Sequence, residues 1–146
     1  MDHSDEGPLA TVERLVHATN AHDLERVVAC FAEDYVLEAP THPQRSFRGN
    51  QQVRRNWTQI FTGIPDITTR VLRSAIDGDT AWTEWEMSGT RRDGGTHLLR
   101  GVFIFGIRSG SIRWGRMFLE PVDASGGDMD GALREQLSKD LSGAKP

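Results

Sequence analysis

Acid–base, nucleophilic or metal chemistry in this 146-residue chain would have to come from five histidines, one cysteine and a few spaced carboxylates. His97 is the first candidate for proton transfer, because imidazole titrates nearest neutral pH. The competing reading of a histidine near a strand end is a surface or internally satisfied group. Arg113 could hold a carboxylate or enolate oxygen through paired N–H groups, or lie solvated or ion-paired. His42, in a proline-bracketed loop, and Tyr35 are candidates for a pocket rim. Glu84 and Glu86 have the right type for an acid–base pair, but they face arginines on neighbouring strands and read better as cross-strand ion pairs. The histidines show no HxH or HExxH spacing and Cys30 has no partner thiolate, so no metal is expected. With no glycine-rich phosphate loop and no serine elbow, no organic cofactor is expected either.

These groups must be placed by the stretch 98–122, LLRGVFIFGIRSGSIRWGRMFLEPV, which reads as a long β-hairpin turning at Ser109-Gly110. Strand alternation puts His97, Leu99, Gly101, Phe103 and Phe105 on one face of the first arm. Arg113, Gly115, Met117 and Leu119 share a face of the second arm, against Ile112, Trp114, Arg116, Phe118 and Glu120. Both faces carry large apolar groups, so one side is expected over a core or cavity and the other over a partner.

Ahead of the hairpin, Leu9, Val12, Leu15, Val16 and Thr19 recur at helical spacing behind Pro8, predicting a helix to about Asn20. A second helix is predicted from an Asp23 cap to Phe31, then a turn at Ala32-Glu33-Asp34 and a short strand 35–38. Residues 41–47 read as a loop. A third helix, about 51–62, carries Val53, Trp57, Ile60 and Phe61 on one face. Strands 67–76 and 80–89 follow, joined at Asp77-Gly78-Asp79. Helices first and a meandering sheet afterwards is an α+β order. Past Pro121 glycine, serine and charge dominate, so 123–146 is expected to be a mobile or loosely docked tail, with Leu133, Leu137 and Leu141 marking a final helix.

The length suits one domain, taken as 8–122. A net charge of -4 with scattered basic residues excludes a nucleic-acid footprint. A lone cysteine excludes an internal disulfide. No apolar run approaches a membrane span and the acidic N-terminus lacks a signal-peptide core, so the chain is read as cytoplasmic, without a membrane partner. Arginine greatly outnumbers lysine, a composition of GC-rich genomes such as those of actinomycetes.

The element order, together with CFAEDYVLEAP, FRGNQQVRRNW and GVFIFGIRSGSIRWGRMFLE, resembles the nuclear transport factor 2-like superfamily, which includes ketosteroid isomerases, limonene epoxide hydrolases and SnoaL-type polyketide cyclases. The resemblance covers roughly residues 9–122. It implies a cone of three helices on a curved, mostly antiparallel sheet, a pocket inside, and a homodimer through the outer sheet face. The chemistry does not carry over. Ketosteroid isomerases place an aspartate base where VLEAP has Ala39; their tyrosine and protonated acid fall at Leu15 and Gly101. The epoxide hydrolase triad falls at Trp85, Met87 and Met117, and its water-positioning pair at Leu37 and Ala39.

Those replacements describe a pocket instead. Leu37, Ala39, Trp57, Trp85, Met87, Leu99, Phe103 and Met117 would make an apolar, aromatic lining for a hydrophobic small molecule, or simply close a small core. Two functions fit. One is a cofactor-free SnoaL-like cyclase or isomerase of a polyketide-type intermediate, working by positioning with help from His97 or Arg113. The other is a non-catalytic binding or accessory protein using the same pocket.

Overall fold

The computed structural model describes residues 2–143, with side chains described through residue 138. Helix α1 (Pro8–Asn20) has Pro8 in its first turn, where the missing N–H is not needed. It buries Thr11, Val12, Leu15, Ala18 and Thr19, one face at helical spacing. Helix α2 (Leu24–Ala29) is capped by Asp23, whose carboxylate accepts from the Arg26 backbone N–H at 3.2 Å.

Two expectations about the following segment are corrected. Helix α2 stops at Ala29, and Phe31 opens strand β1 (Phe31–Glu38) instead of ending the helix. Ala32-Glu33-Asp34 is no turn: it lies within the strand, where five positions from Phe31 to Val36 span only two of the neighbouring strand, from Ile112 to Trp114. This bulge gives up ladder pairing locally: Phe31 and Ala32 on one side of it and Tyr35 on the other are buried, while Glu33 and Asp34 between them are exposed. The expected loop 41–47 contains a 3₁₀ turn, Pro43–Arg45, and runs into a two-residue strand β2 (Phe47–Arg48) paired antiparallel with Val36 and Leu37. Gly49 (φ 93°) then swings the chain into helix α3 (Asn50–Gly63).

Strands β3 (Thr68–Asp77), β4 (Thr80–Thr90), β5 (Thr96–Arg108) and β6 (Ser111–Pro121) form an antiparallel meander. The six-stranded order is β2-β1-β6-β5-β4-β3, with only β1 and β6 parallel. The β5–β6 turn holds Ser109 and Gly110 at φ 53° and 72°, the two positive angles that a tight two-residue hairpin requires. Midway along the hairpin a β-carbon on Gly101 would lie 1.9 Å from the Phe118 carbonyl oxygen, so glycine alone permits this close approach of β5 and β6.

Strict alternation fails at the start of β6. Gly106 pairs with Trp114 and Ile107 with Ile112, leaving Arg113 as the extra residue of a bulge. Ile112 therefore turns inward and is fully buried, while Arg113 turns out and is exposed.

Helices α1 to α3 cover one sheet face. Val12, Leu15, Val27 and Val53 join Trp85, Phe105, Ile107 and Ile112 in the core. The opposite face carries an ion-pair lattice: Glu86 with Arg70 (2.8 Å) and Arg100 (2.9 Å), Glu84 with Arg73 (3.2 Å), Glu38 with Arg116 (3.1 Å). Trp82 and Trp114 stand exposed among them. After residue 121 the chain forms helix α4 (Met129–Gly143), with Leu133 and Leu137 exposed; the Leu141 side chain lies outside those described. Among the described residues no helix is long and apolar enough to cross a membrane.

Candidate ligand cavity

Inward-facing residues of β1, β4, β5 and β6 meet α1 and α3 around a cavity of about 390 Å³. Leu37 of β1, Trp85 and Met87 of β4, Leu99 and Phe103 of β5, and Met117 of β6 line it, with Trp57 entering from α3. Seven of the eight side chains expected to bind a ligand are thus brought to one wall. Ala39 is not: it is buried beneath the β1–β2 connection, where its N–H donates to Ser46 Oγ at 3.0 Å. Beyond Glu38 the chain has left the strand, so alternation no longer aims Ala39 inward.

The wall is fixed by aromatic packing. Phe103 stacks on Phe105 with centroids 5.1 Å apart, and Trp85 meets Phe103 edge-on at 6.0 Å. The Trp85 indole N–H donates to Thr83 Oγ1 at 2.7 Å, and that hydroxyl donates to the Phe103 carbonyl at 2.7 Å. Trp85 therefore presents only its apolar ring to the cavity. Leu15, Phe31, Phe47, Val53, Ile60, Phe105 and Leu119 complete the apolar lining. Phe105 and Leu119 continue the alternation of Phe103 and Met117; the other five come from helices, the bulged β1 and the short β2, which enter the wall without a shared periodicity.

Neither expected catalytic residue lines the cavity. His97 lies on the inward side of β5, but near the end of the sheet, opposite Gly89 and beyond the last lining residue of that strand, Leu99. Partial burial and, secondarily, the charge of Arg91 hold its pKa below the ordinary imidazole value. Arg113 points away because of the β6 bulge and lines shallow outer depressions beside Trp114 and Glu33. His42 is engaged with Glu120 at 2.6 Å on the outside of the β1–β2 loop. Glu84 and Glu86 belong to the outer lattice; Arg70 and Arg100 hold the Glu86 carboxyl below its ordinary pKa through hydrogen bonds.

Cys30 is buried between helix and sheet, its thiol pushed up to about 11 by desolvation, which removes the thiolate needed for nucleophilic attack. Among the described residues no cluster of histidine, cysteine or carboxylate side chains could hold a metal ion.

One titratable side chain does line the cavity. Tyr35, on β1 two residues before Leu37 and so on the same face, is 2% exposed and clamped edge-on by Phe31 at 4.7 Å, with Phe47 at 5.9 Å. Burial drives its pKa upward, so it remains a neutral phenol. The sequence signal for it was the Tyr35–Leu37 spacing, which sets its face; packing against Phe31 and Phe47 sets its depth in the wall, away from the expected rim.

The SnoaL-like domain model matches residues 12–114 of the sequence. Solved structures share the architecture. A loop-truncation variant of IdmH is 24% identical, with 77% of this chain and 92% of that chain covered and a TM-score of 0.66. An LEH-like epoxide hydrolase from M. tuberculosis is 18% identical over 94% of this chain and 96% of its own, with a TM-score of 0.66. An NTF2-like protein of unknown function from Exiguobacterium sp. 255-15 is 19% identical over 78% and 99%, with a TM-score of 0.63. At these identities the likeness concerns the fold. No curated protein sequence matches the chain.

Proposed function

The chain belongs to the SnoaL-like domain family, and from that premise we propose that its cavity takes up a hydrophobic, ring-bearing or polyene intermediate of the polyketide type and cyclises or isomerises it. The observation that carries this reading is the wall itself: leucine, methionine, phenylalanine and tryptophan side chains surround about 390 Å³, with no carboxylate, histidine, lysine or arginine among them. Such a wall cannot abstract a proton with a charged base. Its contribution to rate is positional: it holds a flexible substrate with the reacting atoms in contact, which converts lost entropy into a lower barrier. Leu37, Trp57, Trp85, Met87, Leu99, Phe103 and Met117 supply the holding surface, and the reaction needs no metal or organic cofactor. His97 and Arg113 have no part in it.

The same absence of a base favours one second reading, a binding or accessory protein that holds such a ligand without converting it. The neutral dye N-phenyl-1-naphthylamine should gain fluorescence on adding the protein under either reading, and failure to do so overturns both. A panel of linear polyketide-type polyenes and ketones, followed by mass spectrometry and NMR for isomeric products, separates the two: product formation supports the enzyme, and saturable binding without product supports the carrier.

A homodimer through the convex sheet face belongs to this proposal. Trp82, Trp114 and Phe118 lie on the same face, the Trp82 row falling between those of the other two, and form an apolar patch within the ion-pair lattice that a two-fold axis there would bury.

A further inference from the structure

We propose that Tyr35 selects the ligand: the cavity takes a neutral, largely hydrocarbon molecule that carries one hydrogen-bond acceptor, such as a ketone or ester carbonyl, and docks that acceptor on the Tyr35 hydroxyl. This rests on the cavity being the ligand site proposed above. Tyr35 lines this cavity and not the outer depressions beside Arg113 or Asp66, and its hydroxyl makes no hydrogen bond to any described residue. Every fully enclosed polar side-chain atom among the described residues has a partner, so this unpartnered oxygen keeps some accessible surface, and the cavity is the space that Tyr35 lines.

The other buried polar groups of the wall are already engaged. Thr19 Oγ1 donates to the Val16 carbonyl at 2.9 Å and meets Thr69 Oγ1 at 2.6 Å; the Trp85 N–H is held by Thr83. Asn56, Trp57 and Gln59 are half-buried or exposed on α3, where water can serve them. Tyr35 is therefore the one buried polar side chain of the wall with an unused O–H. Once a ligand displaces water from the cavity, this donor is costly to leave without a partner, and no wall residue accepts its proton. A ligand that only donates would leave that O–H unpaired, so the ligand must accept. It must also be uncharged, since the wall offers no counter-ion and a desolvated charge is far more costly than a desolvated carbonyl.

The test uses two nearly isosteric competitors of N-phenyl-1-naphthylamine: 2-acetylnaphthalene, which carries the carbonyl, and 2-isopropenylnaphthalene, which does not. Tyr35→Phe should weaken the ketone about 3- to 10-fold, the factor for one neutral hydrogen bond, while leaving the hydrocarbon unchanged. Equal effects on both compounds, or none on either, overturn the assignment while dye binding leaves the cavity reading intact; no dye binding to the wild type removes both. As a readout independent of the variant's folding, the carbonyl stretch of 2-acetylnaphthalene bound to the wild type should move to lower frequency than in hexane. An unshifted band overturns the proposal.

Discussion

The Tyr35 hydroxyl rests on Gly115 so closely that a β-carbon at Gly115 would stand 2.5 Å from it. Tyr35 and Gly115 lie on adjacent parallel strands, and the missing side chain of one makes room for the ring of the other. Phe105 and Leu37 close the same space at 3.2 and 3.3 Å. Gly115→Ala should therefore overpack the wall and cost about 1–3 kcal/mol. Urea unfolding measures it, and an unchanged midpoint would mean that the tyrosine can move aside freely.

Thr83 is a second structural support that a sequence reader would pass over. It is buried, accepts from Trp85 and donates to Phe103. Thr83→Val keeps the shape but leaves the indole N–H without a partner, at about 1–3 kcal/mol. Thr83→Ser should restore most of that stability. If valine and serine unfold alike, the hydroxyl contributes nothing.

Met117 faces the cavity from β6. Met117→Asp places an ionisable group in a wall without counter-charges, so binding of the neutral dye should weaken at least tenfold at pH 7.5 and partly recover as the carboxyl is protonated at lower pH. Equal affinity in both proteins at both pH values would remove Met117 from the wall.

On the outer face, Trp82→Glu should dissociate the proposed homodimer, because it sets a carboxylate beside Glu84 in the middle of the apolar patch. Light scattering at micromolar concentration reads the result. A monomeric wild type ends the proposal without needing the variant.

His97 gives a pH dependence of stability with a definite sign. Its folded pKa lies below the ordinary 6.5, from burial first and Arg91 second. Below pH 6.5 the unfolded chain takes up the proton more readily than the folded one, so stability declines as pH falls from 6.5 through the folded pKa and is insensitive to this group above 6.5. Arg91→Ala should raise the imidazole pKa only part of the way, as NMR titration would show. His97→Ala should flatten the decline and leave dye binding within about twofold of wild type, because the imidazole lies outside the cavity wall. A larger loss of binding would return His97 to the site.

Much of this molecule follows from local pattern. Pro8 and the spacing of Val12 and Leu15 mark α1, Asp23 caps α2, Ser109-Gly110 turns the hairpin, and the alternation of Trp85, Met87, Leu99 and Phe103 selects a face; these are properties of neighbouring residues and need no knowledge of distant ones. The pocket's apolar character follows from the same alternation. The catalytic candidates lie outside the cavity wall, because the placement of each depended on something set between segments.

Arg113 has inward parity by counting, yet one extra residue opposite Ile107 turns it out and turns Ile112 in. A bulge changes the phase of a strand without changing its composition, so counting along the chain cannot detect it. His97 has the right face but the wrong height, since the depth at which the cavity ends is set by where α1 and α3 cross the sheet. Tyr35 shows the converse. Its residue type and its spacing from Leu37 are plain in the sequence, but its burial and unpartnered hydroxyl arise from three segments meeting: the β1 bulge, Gly115 on β6, and Phe47 on β2. Which side chains could wall a cavity was legible in the chain, because alternation is local. Which polar group that wall leaves free emerges once the segments are packed together, because satisfying a hydrogen bond depends on partners far apart in the chain.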